Sequence, residues 1–263
     1  MKYEGESAWS LREAAHWEET IITSPNGIDL DRTVESDYVQ RFGARAPHVA
    51  ELFQENSKLT RSSTIEVPRD HRKLEELRGW YFHTAYRINE ADLDPAEAHQ
   101  IRVSNEEMPE PLASLLRIFS NPGPAANLLY AIDLFLLHGG RLYKVLPLSH
   151  YLWVEREYEA EDWQRIKPEI IDLQPAALAR ATTFLFIVGV AWRYMMLYGP
   201  RGYRHTLMDV GRLLSQVEMQ AEKGGVRVET TYNFYDDRIN RILFMDGVER
   251  TTLAISTLEG DRI

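Results

Sequence analysis

Residues 198–216 read YGPRGYRHTLMDVGRLLSQ. Gly199-Pro200 breaks the chain direction. Behind it Leu207, Val210, Leu214 and Val217 recur at helical spacing with Leu213 beside them. That spacing predicts one long helix over Gly202–Ala221, which Gly224-Gly225 stops. Upstream, residues 184–190 (FLFIVGV) form an unbroken apolar run of strand length, as expected for a strand buried on both faces. The segment therefore runs from a core strand through a tight turn into a long amphipathic helix. Gly211 is expected on the core side of that helix, where a missing Cβ would let another backbone approach. Arg201, Tyr203 and Arg204 gather at the helix start. Two guanidiniums there could hold an anion or a carboxylate; the alternative is a turn stapled by arginine–tyrosine packing.

Around this segment the pattern mixes both periodicities. Residues 128–137 form an apolar strand, Gly139-Gly140 a tight turn, and residues 141–146 the returning strand of a hairpin. Tyr151–Val154 is a third strand, Gln174–Arg180 a short helix, Val226–Tyr232 a strand, Asp236–Phe244 a short helix and Thr251–Ile255 a last strand. Leu112, Leu115, Leu116 and Phe119 sit at helical spacing. The aromatic-rich stretch Trp80–Tyr86 reads as a strand, and Asp94-Pro95 as a helix start within Glu90–Ala98. Residues 1–60 read as a helical N-terminal extension, with a helical patch at Ala50–Lys58, and 61–263 as the main domain. The polar stretch Thr60–Arg72 is expected to be an irregular connection. No βαβ rhythm appears, so the expected class is α+β.

The composition excludes several functions. With no cysteine, a thiolate nucleophile and any Cys-ligated metal are ruled out, and a reducing, cytoplasmic setting fits. A net charge of −10 repels a phosphate backbone, so no nucleic-acid partner is expected. The apolar runs fall short of the ~20 residues a membrane span takes, and Met1–Ser10 carries no apolar core of a signal peptide. Eight histidines are present, none paired as HxH or HExxH, so no metal site is expected. GxGxxG, Walker A and GxSxG are absent as well.

Several co-linear stretches resemble the azoline dehydrogenases of the nitroreductase superfamily, the SagB-type enzymes. Tyr198, Arg201, Gly202, Tyr203 and Arg204 match the family stretch K-Y-x-x-R-G-Y-R; Asp209 stands near its following Glu, and Gly211 matches. Residues 234–247 (FYDDRINRILFMDG) are similar to its F-D-D-x-x-L-x-x-L-L-G-L-D-G segment. Residues 129–136 (LYAIDLFL) are similar to its L-Y-P-I-E-x-x-L strand, and 141–150 (RLYKVLPLSH) to its G-L-Y-x-Y-x-P-L-x-H hairpin. Even 52–59 (LFQENSKL) resembles a phrase of the family's N-terminal region. The resemblance covers residues 45–260. It implies a nitroreductase-like α+β fold, a central sheet flanked by helices, and a dimer with FMN at the interface. The activity it implies is oxidation of thiazolines and oxazolines in peptide natural products, on a peptide or carrier-bound azoline substrate.

Three chemically important family positions are altered. The Lys-Tyr pair is Leu197-Tyr198, which leaves Tyr198 as the only acid/base candidate. The P-S-G-G flavin loop is Pro124-Ala125-Ala126-Asn127, and Ser120-Asn121-Pro122 replaces the arginines before it. The arginine-rich start that grips the flavin phosphate is AEAHQIRV (96–103), with only Arg102 left; each lost charge-assisted bond is worth ~1.5–3 kcal/mol. The resemblance thus implies Tyr198 as catalytic candidate and Arg102, Asn127, Arg201, Tyr203 and Arg204 as flavin-contacting candidates. Losing all three features while keeping the scaffold segments implies a degenerate protomer in an FMN-dependent azoline dehydrogenase system. It would form a heterodimer with an active nitroreductase-like homologue. The alternative is a homodimeric, active FMN-dependent oxidase, and a more remote one is a binder of an unrelated small molecule on the same fold.

Overall fold

Gly139 and Gly140 take φ of +57° and +78°, the pair of left-handed residues that a two-residue hairpin turn needs. They join β2 (Ile132–His138) to β3 (Arg141–Val145), with His138 opposite Arg141. The computed structural model describes residues 53–54, 56–57, 72–89, 102–120, 127–159 and 164–259. The chain divides into two units, Met1–Lys58 and Leu59–Ile263, and the elements that follow all belong to the second. The readings at 1–52, at 60–71, at 90–101 and at the 121–126 loop lie outside the described residues.

Seven strands form one sheet among the described residues. Besides β2 and β3 they are β1 (Arg102–Ser104), β4 (Tyr151–Glu157), β5 (Thr183–Gly189), β6 (Arg227–Thr231) and β7 (Thr251–Glu259). Their order is β1-β4-β3-β2-β5-β7-β6, and every neighbouring pair is antiparallel. Side chains alternate between faces at period two. Leu134, Leu136, Leu185 and Ile187 therefore join one core with α2 (Glu110–Ser120) and α5 (Arg201–Lys223). Phe135, Leu137, Phe184 and Phe186 join the opposite core with Ile170, Phe234 and α6 (Asp236–Ile242). The expected α+β class and the sheet flanked by helices are what the chain forms. Each large apolar side chain buried this way contributes about 1.5–3 kcal/mol.

The differences from the sequence reading have physical causes. Trp80–Tyr86 is not a strand but part of α1 (Arg72–Asn89). Leu74, Leu77 and Tyr81 lie one helical turn apart and pack together, while Trp80 is 73% exposed. An aromatic cluster mimics strand composition, but the three- and four-residue spacing decides. Residues 127–131 are helical turns, so β2 begins at Ile132. After the short helix α3 (Pro175–Arg180) and β5, a seven-residue helix, α4 (Trp192–Tyr198), stands before the Gly-Pro turn in place of a direct connection. On α5, Leu207 is exposed whereas Leu213, Leu214 and Val217 are buried.

Candidate functional site

The α4–α5 corner is held by a glycine, but not the expected one. Gly199 turns the chain at φ +55°, and Gly202 lies against α4, where an added Cβ would fall 2.4 Å from the Met195 nitrogen. Gly211 faces open space, with nothing within 4 Å of such a Cβ. The close backbone approach therefore belongs to the first turn of α5. Because the corner is so tight, α4 lies directly on α5 and their polar groups meet.

Tyr194 of α4 donates to Asp209 Oδ2 of α5 at 2.6 Å and accepts from Arg78 Nη2 of α1 at 2.9 Å. Arg212 adds an ion pair to Asp209 Oδ1 at 3.3 Å. Burial and then the bond to Asp209 push the Tyr194 hydroxyl far above its ordinary range, so it remains a donor. The rings continue the contact. Tyr130 meets Tyr194 edge-on at 5.4 Å and Tyr81 meets Tyr130 at 6.0 Å. Tyr198 and His205 stand 4.6 Å apart. Partial burial holds His205 below the ordinary histidine range, with Asp209 opposing that and Arg201 adding to it.

Of the sequence-predicted residues, the structure gathers four at this corner. Tyr198 is 6% exposed, packed with Leu197, Tyr194 and Tyr130. Arg201, Tyr203 and Arg204 are half-buried in the first turn of α5. Asn127 is exposed, five residues before β2. Arg102 lies on β1, its guanidinium 4.7 Å from the Tyr151 ring centre. β1 is the sheet edge four strand steps from β5, about 19 Å at ~4.8 Å per step, so Arg102 is not part of the α4–α5 cluster.

The sequence reading passed over the most heavily charged point of this region. Asp133 of β2 is buried, and Arg193 of α4 reaches its Oδ1 at 3.2 Å while also donating to the Tyr130 carbonyl at 2.9 Å. Lys144 and Arg250 pair with Oδ2 at 3.5 and 3.3 Å. Burial alone would raise this carboxyl, but the three cations together hold it below the usual carboxylate range. The signal was a lone acid inside the apolar run LYAIDLFL, since a charge in a buried strand has to be paired.

Among solved structures, the chain is similar to one of the E. coli microcin synthetase McbBCD complex with truncated pro-MccB17 bound. That match has 16% identity, covers 98% of this chain and 100% of the other, and has a TM-score of 0.51. The fold is nitroreductase-like. Further similar structures are proteins described as nitroreductases. One from Anabaena variabilis has 19% identity, 69% of this chain and 46% of that one covered, and a TM-score of 0.49. One from Ralstonia eutropha has 13% identity, 65% and 84% covered, and a TM-score of 0.43. No family model and no curated protein matches the chain.

A nitroreductase-like fold with the resemblance above implies FMN, and the residues described here do not form a cradle for it within one chain. The candidate phosphate arginine, Arg102, sits at a distant sheet edge from Arg201 and Arg204. Tyr198 is enclosed by its neighbours, and no lysine stands at the corner, Leu197 being buried in the same cluster. What this corner does on its own residues is hold α1, α4 and α5 in one polar and aromatic assembly.

Among the described residues no group of three metal-ligating side chains comes together, and no helix is long and apolar enough to cross a membrane.

Proposed function

We propose that this chain is a nitroreductase-like subunit of an FMN-dependent azoline dehydrogenase system in peptide natural-product biosynthesis, and that it serves as a degenerate protomer supporting an active homologue. The observation that carries this reading is Leu197. At the position of the family lysine, it is packed against Leu74, Tyr130, Tyr194 and Tyr198. An ammonium there would lose its hydration, which supports a corner serving as a core over one serving as an acid/base pair.

The likeness to a chain of the McbBCD complex, along nearly the full length of both, supports the setting: a multi-subunit assembly with a peptide precursor. Exposed apolar side chains support a partner as well: Trp192, Met195 and Met196 of α4 and Leu207, Met208 and Met219 of α5, since exposed apolar patches mark interaction sites. On this reading the partner is a nitroreductase-like homologue, FMN is bound at the shared interface, the substrate is a peptide-borne azoline, and the assembly works in the cytoplasm. The domain division at about residue 60 belongs to the same proposal.

The test is expression of the chain alone and together with nitroreductase-like homologues, with bound FMN read from visible absorbance and azoline oxidation from product mass. The chain alone is expected to be colourless and inactive, with turnover appearing on co-expression. Stoichiometric FMN and turnover by the chain alone would overturn the proposal in favour of an active homodimeric oxidase using Tyr198.

A further inference from the structure

Lys144 on β3, Arg193 at the start of α4 and Arg250 just before β7 come from three elements and converge on the single carboxylate of Asp133. Three cations against one anion leave a local surplus of positive charge. Among the described residues no second carboxylate is ion-paired with any of the three. Asp133 accepts two bonds from Arg193 on Oδ1 and faces Lys144 and Arg250 through Oδ2. Arg193 is satisfied, donating also to the Tyr130 carbonyl; Lys144 and Arg250 are not. Lys144 reaches Asp133 only at 3.5 Å, longer than a good N–H···O bond. Arg250 Nε is buried with no acceptor at all. Like charges this close in a half-buried setting repel by more than they would in water, and one carboxylate compensates only part of that.

Two of the three are also accessible, while the Arg193 side chain is only 15% exposed. The Lys144 and Arg250 side chains are 27% and 36% exposed, and both lie over the Phe135 ring, at 5.9 and 5.4 Å from its centre. Arg193 lies over Tyr81 at 4.5 Å. Aromatic rings beneath them, weak pairing to Asp133 and partial exposure of the Lys144 and Arg250 side chains suit a planar or tetrahedral oxyanion bridging Lys144 and Arg250.

We propose that Lys144, Arg193 and Arg250 form a receptor for an oxyanion, a carboxylate or a phosphoryl group, on the side of the cations turned away from Asp133. This site stands apart from the flavin reading and does not depend on it.

The test uses the full chain in phosphate-free, low-salt buffer, titrated with inorganic phosphate and separately with acetate, ionic strength being matched with chloride. Melting temperature and titration calorimetry are read. A saturable response is expected, with a melting point about 5–10 °C higher at a hundredfold excess over Kd. Lys144→Gln and Arg250→Gln should each weaken binding about tenfold or more while leaving the far-ultraviolet circular dichroism unchanged. A response to phosphate only assigns a phosphoryl ligand; a response to acetate, with or without phosphate, assigns a carboxylate. No response, a response equalled by chloride, or one unchanged in both variants overturns the proposal. Visible absorbance of the same samples reports flavin independently, so the failure of one reading is separable from that of the other.

Discussion

The Tyr194 hydroxyl donates to Asp209 Oδ2 at 2.6 Å, and this bond ties α4 to α5 across the corner where the nearly buried carboxylate would otherwise rely on Arg212 alone. Tyr194→Phe removes the donor and leaves the carboxylate under-satisfied, at a cost of about 1–3 kcal/mol. A fall of about 2–4 °C in Tm per kcal/mol is expected for a protein of this size. A double-mutant cycle with Asp209→Asn should show coupling, because the two residues share one interaction. Additive losses would show that the bond contributes nothing to stability.

The two glycines of α5 should respond in opposite ways. Gly202→Ala drives a Cβ into the α4 backbone and should cost about 1–3 kcal/mol. Gly211→Ala meets open space and should stabilise the isolated chain by about 0.5–1 kcal/mol. If the exposed side of α5 docks on a partner, the same Gly211→Ala change should weaken association measured by sedimentation. Thermal melts of both variants decide the first pair of expectations.

Acid should reveal Asp133. Its carboxyl titrates below the ordinary value when folded and near 3.9 when unfolded. The folded state thus binds fewer protons, and the stabilisation is complete above about pH 4. It is lost as the pH falls through the folded value. Asp133→Asn should destabilise the chain by about 3–5 kcal/mol at pH 7 and flatten the decline below pH 4 in urea titrations. Parallel pH profiles for the two proteins would contradict this.

Restoring the family lysine should not restore activity. Leu197→Lys places an ammonium in a packed aromatic cluster, and a loss of at least about 2 kcal/mol is expected. Assays of azoline oxidation with added FMN should stay at background. A stable, yellow and active variant would show that the corner is an active site missing one residue.

Much of the sheet was legible because its signals are local. The two-glycine turn and the apolar runs of β2 and β5 each carry their meaning within ten residues. The site was less legible because its meaning is non-local. Asp133, Lys144, Arg193 and Arg250 are spread over 118 positions of sequence, and nothing in their spacing shows that the sheet order brings them together. Gly202 and Gly211 look alike in sequence; which one meets a backbone depends on how tightly α4 folds onto α5. Trp80–Tyr86 misled because aromatic content favours strands while the burial pattern along α1 follows helical spacing.

The position of β7 sets an order of events during synthesis. This strand comes after every other described one in the chain, yet it lies between β5 and β6 and is hydrogen-bonded to both. Until the ribosome has passed Glu259, β6 has no sheet neighbour and β5 presents an open apolar edge. Such an edge can recruit strands from other molecules. The nascent chain is therefore exposed to misassembly until β7 is released. A stop codon after Gly247 would remove an inner strand and not a dispensable tail.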